Sequence, residues 1–354
     1  MASGWTGALE PRPLHEALGA AIVDLARAAG ARLAARDAAS GFLTLSSTQR
    51  TTLASEGEHF TDRCGAMLEA WDVVAAAPTG QAMARVGRIA ATQEERVLLA
   101  LLVAGELERA IGKALRFCAA PDGRLSVGAL LDLASSSPLS RQRLAGLLHP
   151  AAALRGQGLL EVDRPGAAAA SSLITVTAPV LAAVRGEPVG PPDVVDALAH
   201  RPEPGAAALL DRCGLRGCHP GGVTVLSGPR PRTLALAHLA LLARGRAAWM
   251  VAGAPAATTS GWWRTWASHA TLADVALVVA VEGAPLDQVT VIARTIARAT
   301  DATIVLLTDA SAPAVDGESL TVVPCAPVVE ALLTHRAEAT GLVRRVLDAL
   351  AGTS

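Results

Sequence analysis

The sequence predicts an α/β protein with a helical front half, a small helix-and-hairpin unit, and a rear parallel sheet covered by helices on both faces. Three observations carry this. Apolar residues recur at the helical period over residues 14–33. Three helical stretches followed by two short strands fill residues 92–187. Continuous apolar strands alternate with helices over residues 222–341.

At 354 residues, half of them apolar, the chain is long enough for two or three domains with sizeable cores. Formal net charge is −1, so there is no basic surplus of the kind a phosphate-binding surface needs. Lys113 is the lone lysine among many arginines, which reads as the compositional bias of a GC-rich genome. Five scattered cysteines form no disulfide framework and fit a reducing compartment. The opening residues carry no signal-peptide pattern, and no apolar stretch approaches the length of a membrane span. A soluble, cytoplasmic protein is expected.

Within residues 1–90, Leu14, Leu18, Ile22, Leu25 and Leu33 mark a helix that ends at Gly41. Ser46 and Gln49 have the spacing of a capping box and open a second helix. A third is expected from Glu58 to Ala76, before Pro78-Thr79-Gly80. Residues 91–187 then read as one long helix over 93–117, a turn at Pro121-Asp122-Gly123, a helix over 127–134 and another over 141–154. Strands at 158–162 and 173–176 flank the small-residue stretch 165–172. That order is the layout of a winged-helix domain. Residues 188–221 hold Pro188, Pro191, Pro192, Pro202, Pro204 and Pro220 and are expected to be a linker.

The rear domain, residues 222–341, starts with a strand at 223–226 and a helix at 234–243. A strand at 248–251, a tryptophan-bearing helix, and a strand at 275–281 follow. A helix at 286–299, strands at 303–307 and 320–323, and a helix at 328–339 complete it, leaving 342–354 as a helical tail.

The turn after the first of these strands is Ser227-Gly228-Pro229-Arg230-Pro231-Arg232-Thr233. It stands where a phosphate-binding loop, G-x-x-x-x-G-K-[ST], would stand. Counted from Gly228, the second glycine, the lysine and the hydroxyl are replaced by Thr233, Leu234 and Ala235. A two-residue deletion would instead put Arg232 and Thr233 in the Lys-Thr positions, and Pro231 would still remove a backbone donor. The strand at 275–281 ends in Val281-Glu282, where a metal-holding Asp would precede the water-polarising Glu. The strand at 303–307 ends at a polar residue, Thr308.

With these residues the rear half resembles the AAA+ ATPase core in a decayed form. The front half is similar to the N-terminal region of certain actinobacterial AAA+ proteins, in which a winged helix precedes one degenerate and one active ATPase module. The similarity rests on Gly41–Ser46, on the Leu-rich run Leu98–Leu107 with Gly105 in place of a proline, and on Val127–Leu133 with Leu154–Leu160. The active second module and the helical lid are not seen in this sequence, so the family's activity is not carried over. The resemblance implies a remnant nucleotide site of Gly228, Pro229, Arg232, Thr233, Glu282 and Thr308, with no cofactor expected and ATP at most weakly held. It also implies an active AAA+ protein or a contractile-injection-type assembly as partner.

Other residues carry competing readings. Cys213, Cys218 and His219 offer three metal-ligating groups, one short of a structural zinc site, so no metal is expected. Arg141, Arg143 and Arg155 lie on or near the presumed recognition helix. The wing lacks basic residues beyond Arg164, which favours docking a protein over gripping DNA. Trp262 and Trp266 share a helical face and are expected to cover the sheet. Trp263 points elsewhere and is the candidate partner contact. Glu94-Glu95-Arg96 and Arg344-Arg345 read as solvated helix faces.

The functional expectation is a non-catalytic, regulatory or scaffolding pseudo-ATPase that docks a protein partner. Two alternatives stand beside it: weak ATP binding or hydrolysis completed by a partner subunit, using Arg232, Thr233 and Glu282, and a winged-helix DNA-binding regulator.

Overall fold

The computed structural model describes residues 12–108, 111, 125–163, 170–193, 195–198, 205–215, 218–254, 259–281, 285–317, 319–339 and 341–352. The chain divides into two compact units, residues 1–189 and 190–354.

The first unit is organised by α1 (Arg12–Ala39), a helix of 28 residues. Leu18, Ile22, Leu25, Ala29 and Leu33 are buried along it at the spacing the sequence displays. Its neighbours are α2 (Ser47–Glu58), α3 (Phe60–Ala76) and α5 (Gln93–Leu107), with α4 (Gln81–Ile89) packed on α3. The Ser46–Gln49 capping box forms as read, and Thr92 with Glu95 makes a second one at the start of α5. That second box corrects the reading of Glu94-Glu95-Arg96 as a solvated face. Glu95 is buried on Thr92, and Arg96 pairs with Asp72 at 2.8 Å while lying beside the Trp71 ring.

Farther along are α6 (Val127–Ala134), α7 (Pro138–Leu147), the one-turn α8 (Ala153–Gly156), β1 (Leu160–Val162), β2 (Ile174–Val176) and α9 (Ala178–Arg185). β1 and β2 pair antiparallel with Glu161 opposite Thr175, and an isolated bridge joins Ser126 to Leu173. The single helix expected over 141–154 is two. Ser137 caps α7 with Pro138 in its first turn, so it starts early. Pro150, which has no N–H, falls in the turn before α8. The helix expected over 93–117 gives α5, with Ile111 also helical; residues 112–117, the turn at 121–123 and most of the wing lie outside the described residues. The boundary expected at residue 90 is absent. α1 packs on α5, α6 and α9 as well as on α2 and α3, because its apolar stripe is wide enough to serve both halves.

The second unit contains a six-stranded sheet in the order β3-β5-β6-β7-β4-β8. The strands are β3 (Asp196–Leu198), β4 (Val223–Ser227), β5 (Ala248–Ala254), β6 (Ala276–Val281), β7 (Thr303–Thr308) and β8 (Leu320–Pro324). Five run parallel; β3 alone is antiparallel, at one edge. An isolated antiparallel bridge, Val315 to Val322, lies on β8 at the other edge.

One face of the sheet is covered by α10 (Ala206–Arg212), α11 (Arg230–Ala243), α14 (Cys325–Thr334) and α15 (Gly341–Gly352). The other is covered by α12 (Ser260–Ala273) and α13 (Leu286–Thr300). This corrects two boundaries. The expected linker, 188–221, supplies β3 and α10, whose Leu209 and Leu210 enter the core. The expected tail, 342–354, is mostly α15, whose Val343, Leu347 and Leu350 are buried in the same cluster. Proline density hid both elements, because they are only three and seven residues long.

Two glycines of the first unit differ in a way that can be measured. An added Cβ at Gly80 would lie 1.7 Å from the Val74 carbonyl oxygen, whereas Gly65, exposed on α3, has open space around it. Gly80→Ala should therefore destabilise by about 3 kcal/mol, and Gly65→Ala should stabilise by about 1 kcal/mol. Paired thermal melts of the two variants check both signs.

Candidate functional site

In an open α/β sheet the natural ligand crevice lies beyond the carboxyl ends of the strands, where successive connections diverge in direction. Here that point falls between β4 and β7. From β4 the chain travels through α11 to β5, across the sheet; from β7 it crosses the other way to β8. Ser227, Gly228 and Thr308 therefore meet at one end of adjacent strands, with Ser227 in register with Thr308. Gly228, Pro229, Arg232, Thr233 and Thr308, expected from the sequence to share a site, lie together at this end of the sheet. Glu282 lies outside the described residues.

What these groups do is specific. The Gly228 N–H donates to the Thr308 carbonyl at 2.9 Å. The Ser227 hydroxyl donates to the Ala310 carbonyl at 2.7 Å and accepts from the Ala312 N–H at 3.0 Å. The Thr308 hydroxyl accepts from the Ala310 N–H. The loop leaving β4 is thus stitched to the loop leaving β7. Pro229 and Pro231 have no N–H, and the N–H groups of Arg232 and Thr233 both donate to the Pro229 carbonyl. Thr233 is fully buried, and its hydroxyl donates to the Arg230 carbonyl. A helix start normally offers orphan donors to an anion; this one has spent most of them internally.

Gly228 sits at φ +144°, a region that penalises any side chain, and its missing Cβ leaves room for Cys325 at the first turn of α14. An added Cβ would stand 3.2 Å from the Cys325 Cβ. Burial pushes the Cys325 thiol up from 9.0 to about 11, against the pull of the Arg232 guanidinium. The exit of β4 is therefore clamped from both sides, by the β7 loop and by α14. Nothing in the sequence singled out Ser227 or Cys325. The signal available is positional: Ser227 is the last residue of β4, and Cys325 directly follows β8, its neighbour.

The expected partner-binding residues fall differently. Arg155 is buried, with its guanidinium donating to the Leu148 carbonyl at 3.1 Å, so it holds the α7–α8 turn and cannot meet a partner. Arg141 pairs with Asp132 at 2.8 Å, and Arg143 pairs with Glu94 while staying largely exposed. Trp263 is fully buried in the core under α12, together with Trp266. Trp262 is the half-buried one of the three and packs edge-on against Trp263. Trp262 and Trp266 do lie on the sheet-face cluster; Trp263 and Ala267, also at i, i+4, join them, so the apolar face is wider than expected and Trp263 is not free for a partner.

Cys213 and Cys218 are both buried, and burial raises both thiols. The Cys218 N–H donates to the Thr224 hydroxyl at 2.8 Å, which ties that loop to β4. His219 is exposed. Among the described residues no three metal-ligating groups converge, and no helix is long and apolar enough to cross a membrane. No protein-family model, curated protein or solved structure matches the chain.

Ser227→Ala leaves the Ala310 carbonyl and the Ala312 N–H without their partner, and should cost about 2 kcal/mol in denaturant unfolding. The Cys325 thiol stays protonated in the fold where an unfolded chain's thiol ionises. Its contribution to stability is intact below about pH 9 and is lost as pH rises through about 11. Unfolding free energy measured across that window should fall with pH, and Cys325→Ala should make the fall shallower.

Proposed function

We propose that this chain is a non-catalytic, pseudo-ATPase-like scaffold: a degenerate AAA+-type sheet that no longer cradles a nucleotide, joined to a winged-helix-type unit that docks protein. The observation that carries the reading is the internal closure of the β4–β7 crevice. A triphosphate needs backbone donors, a lysine and a magnesium-holding hydroxyl at that point. The corresponding donors here are bonded to Thr308 and Pro229 or replaced by proline, and the hydroxyls of Ser227, Thr308 and Thr233 are each engaged by backbone groups.

Protein is favoured over nucleic acid as partner by the state of the arginines. Arg155 is inside, and Arg141 and Arg143 are already paired with carboxylates. A phosphate would have to displace Asp132 and Glu94 to reach them. An active AAA+ subunit, or an assembly that one serves, is the partner class that the resemblance of the two halves suggests.

Isothermal titration of the full chain with Mg·ATP should give no saturable heat at millimolar nucleotide, and phosphate release should match background in both wild type and Glu282→Gln. Saturable binding abolished by Gly228→Ala, or turnover abolished by Glu282→Gln, sinks the reading.

A further inference from the structure

We infer that the groove between α11 and α15 is a docking site for an amphipathic helix of a partner protein whose apolar anchors are flanked by carboxylates. The groove is open to solvent and offers a volume of about 540 Å³. Pro231, Leu234 and Ala235 line it from α11, Val346 and Leu350 from α15. With His238, the α11 residues fall at the i, i+3, i+4, i+7 spacing of one helical stripe. An apolar channel between two helices is the receiving half of helix-in-groove recognition.

The charge around the groove selects the occupant. Arg345, on the wall, is exposed and makes no side-chain hydrogen bond or ion pair among the described residues. Its neighbour Arg344 is different: Asp348 and the Arg336 carbonyl hold it. Among the described residues no carboxylate lines the groove. An apolar floor with the exposed Arg345 guanidinium on its wall complements a segment carrying leucine-type anchors and acidic flanks, and disfavours one with basic flanks. Pro231 belongs both to the closed β4 exit and to this groove, so the captured helix would lie beside the crevice where nucleotide is not held. The inference rests on the protein-docking half of the proposed function and is independent of the nucleotide half.

The test uses the full chain and fluorescence anisotropy. The probe is a labelled synthetic peptide of about 15 residues, with leucines at helical spacing and glutamates elsewhere; its counterpart carries lysines in place of the glutamates. The acidic peptide should bind saturably, and the basic one about tenfold more weakly or worse. Arg345→Glu should weaken the acidic peptide by about tenfold and strengthen the basic one. Ala235→Arg, which fills the groove, should weaken both, with thermal melts verifying that each variant folds. Because Arg345 is exposed, its variant keeps the test alive if Ala235→Arg does not fold.

Several outcomes overturn the inference. These are no saturation by the acidic peptide, equal affinity for the two peptides, affinities unmoved by both variants, displacement of the peptide by octanoate at lower concentration, and self-association of the chain that Arg345→Glu abolishes. Mg·ATP titrated in parallel separates the failures. Nucleotide binding with intact peptide capture removes the pseudo-ATPase reading and leaves the groove, and the converse removes the groove alone.

Discussion

The constraint on which the second unit depends is that β4 has neighbours on both sides and helices above and below. All five of its residues are buried. A strand in that position is shielded from water along its length, so its buried backbone groups must find protein partners. Gly228, Ser227 and the β7 loop meet this requirement with one another, and Cys325 fills the space that the glycine vacates. In a nucleotide-binding sheet the same donors point outward and are satisfied by phosphate. Here the sequence Gly-Pro-Arg-Pro takes the alternative, in which the loop is short, proline-stiffened and self-paired. The closure of the crevice and the packing of the sheet then have a common cause.

The first unit is governed by a comparable economy. α1 is long enough to present one apolar stripe to α2, α3 and α5 and another part of its surface to α6 and α9. Arg32 reinforces this from the middle of the helix. Its guanidinium lies 3.6 Å over the Phe60 ring and donates to the Leu133 carbonyl at 2.7 Å. One side chain therefore ties α1 to α3 and to the end of α6. Gly57 permits the close approach of α2 to the same stretch of α1. A division of this region into two domains would leave that stripe half uncovered.

Much of this was legible in the sequence where the signal is local and periodic. The parallel strands, α6, α12, α13 and the Ser46 cap fall where apolar runs and capping residues put them, because a buried parallel strand has to be apolar on both faces. Short elements were not legible. β3 and α10 sit among prolines and glycines, and only their contacts with β5 and the α11 face define them. On α12 the sheet-facing pair Trp262 and Trp266 is legible but Trp263 is not, because three tryptophans in five positions fit an apolar face of either width and the sheet decides between them. Arg155 illustrates the same loss for charge, since a basic residue near a presumed recognition helix and a buried turn-holding arginine look identical in one dimension. The residues of the crevice could be located from sequence, but their hydrogen bonds could not, because the partners lie about 80 positions away.

The borders of the six-stranded sheet have a consequence for how the protein behaves in a crowd of its own copies. Exposed strand margins are templates on which another chain can add itself, hydrogen bond by hydrogen bond. One margin here is β3, three residues long and reversed in direction. The other is β8, part of whose outer rim is already occupied by Val315. Neither margin offers the long, flat register that a growing fibril requires, so strand-by-strand accretion through this sheet has little to start from.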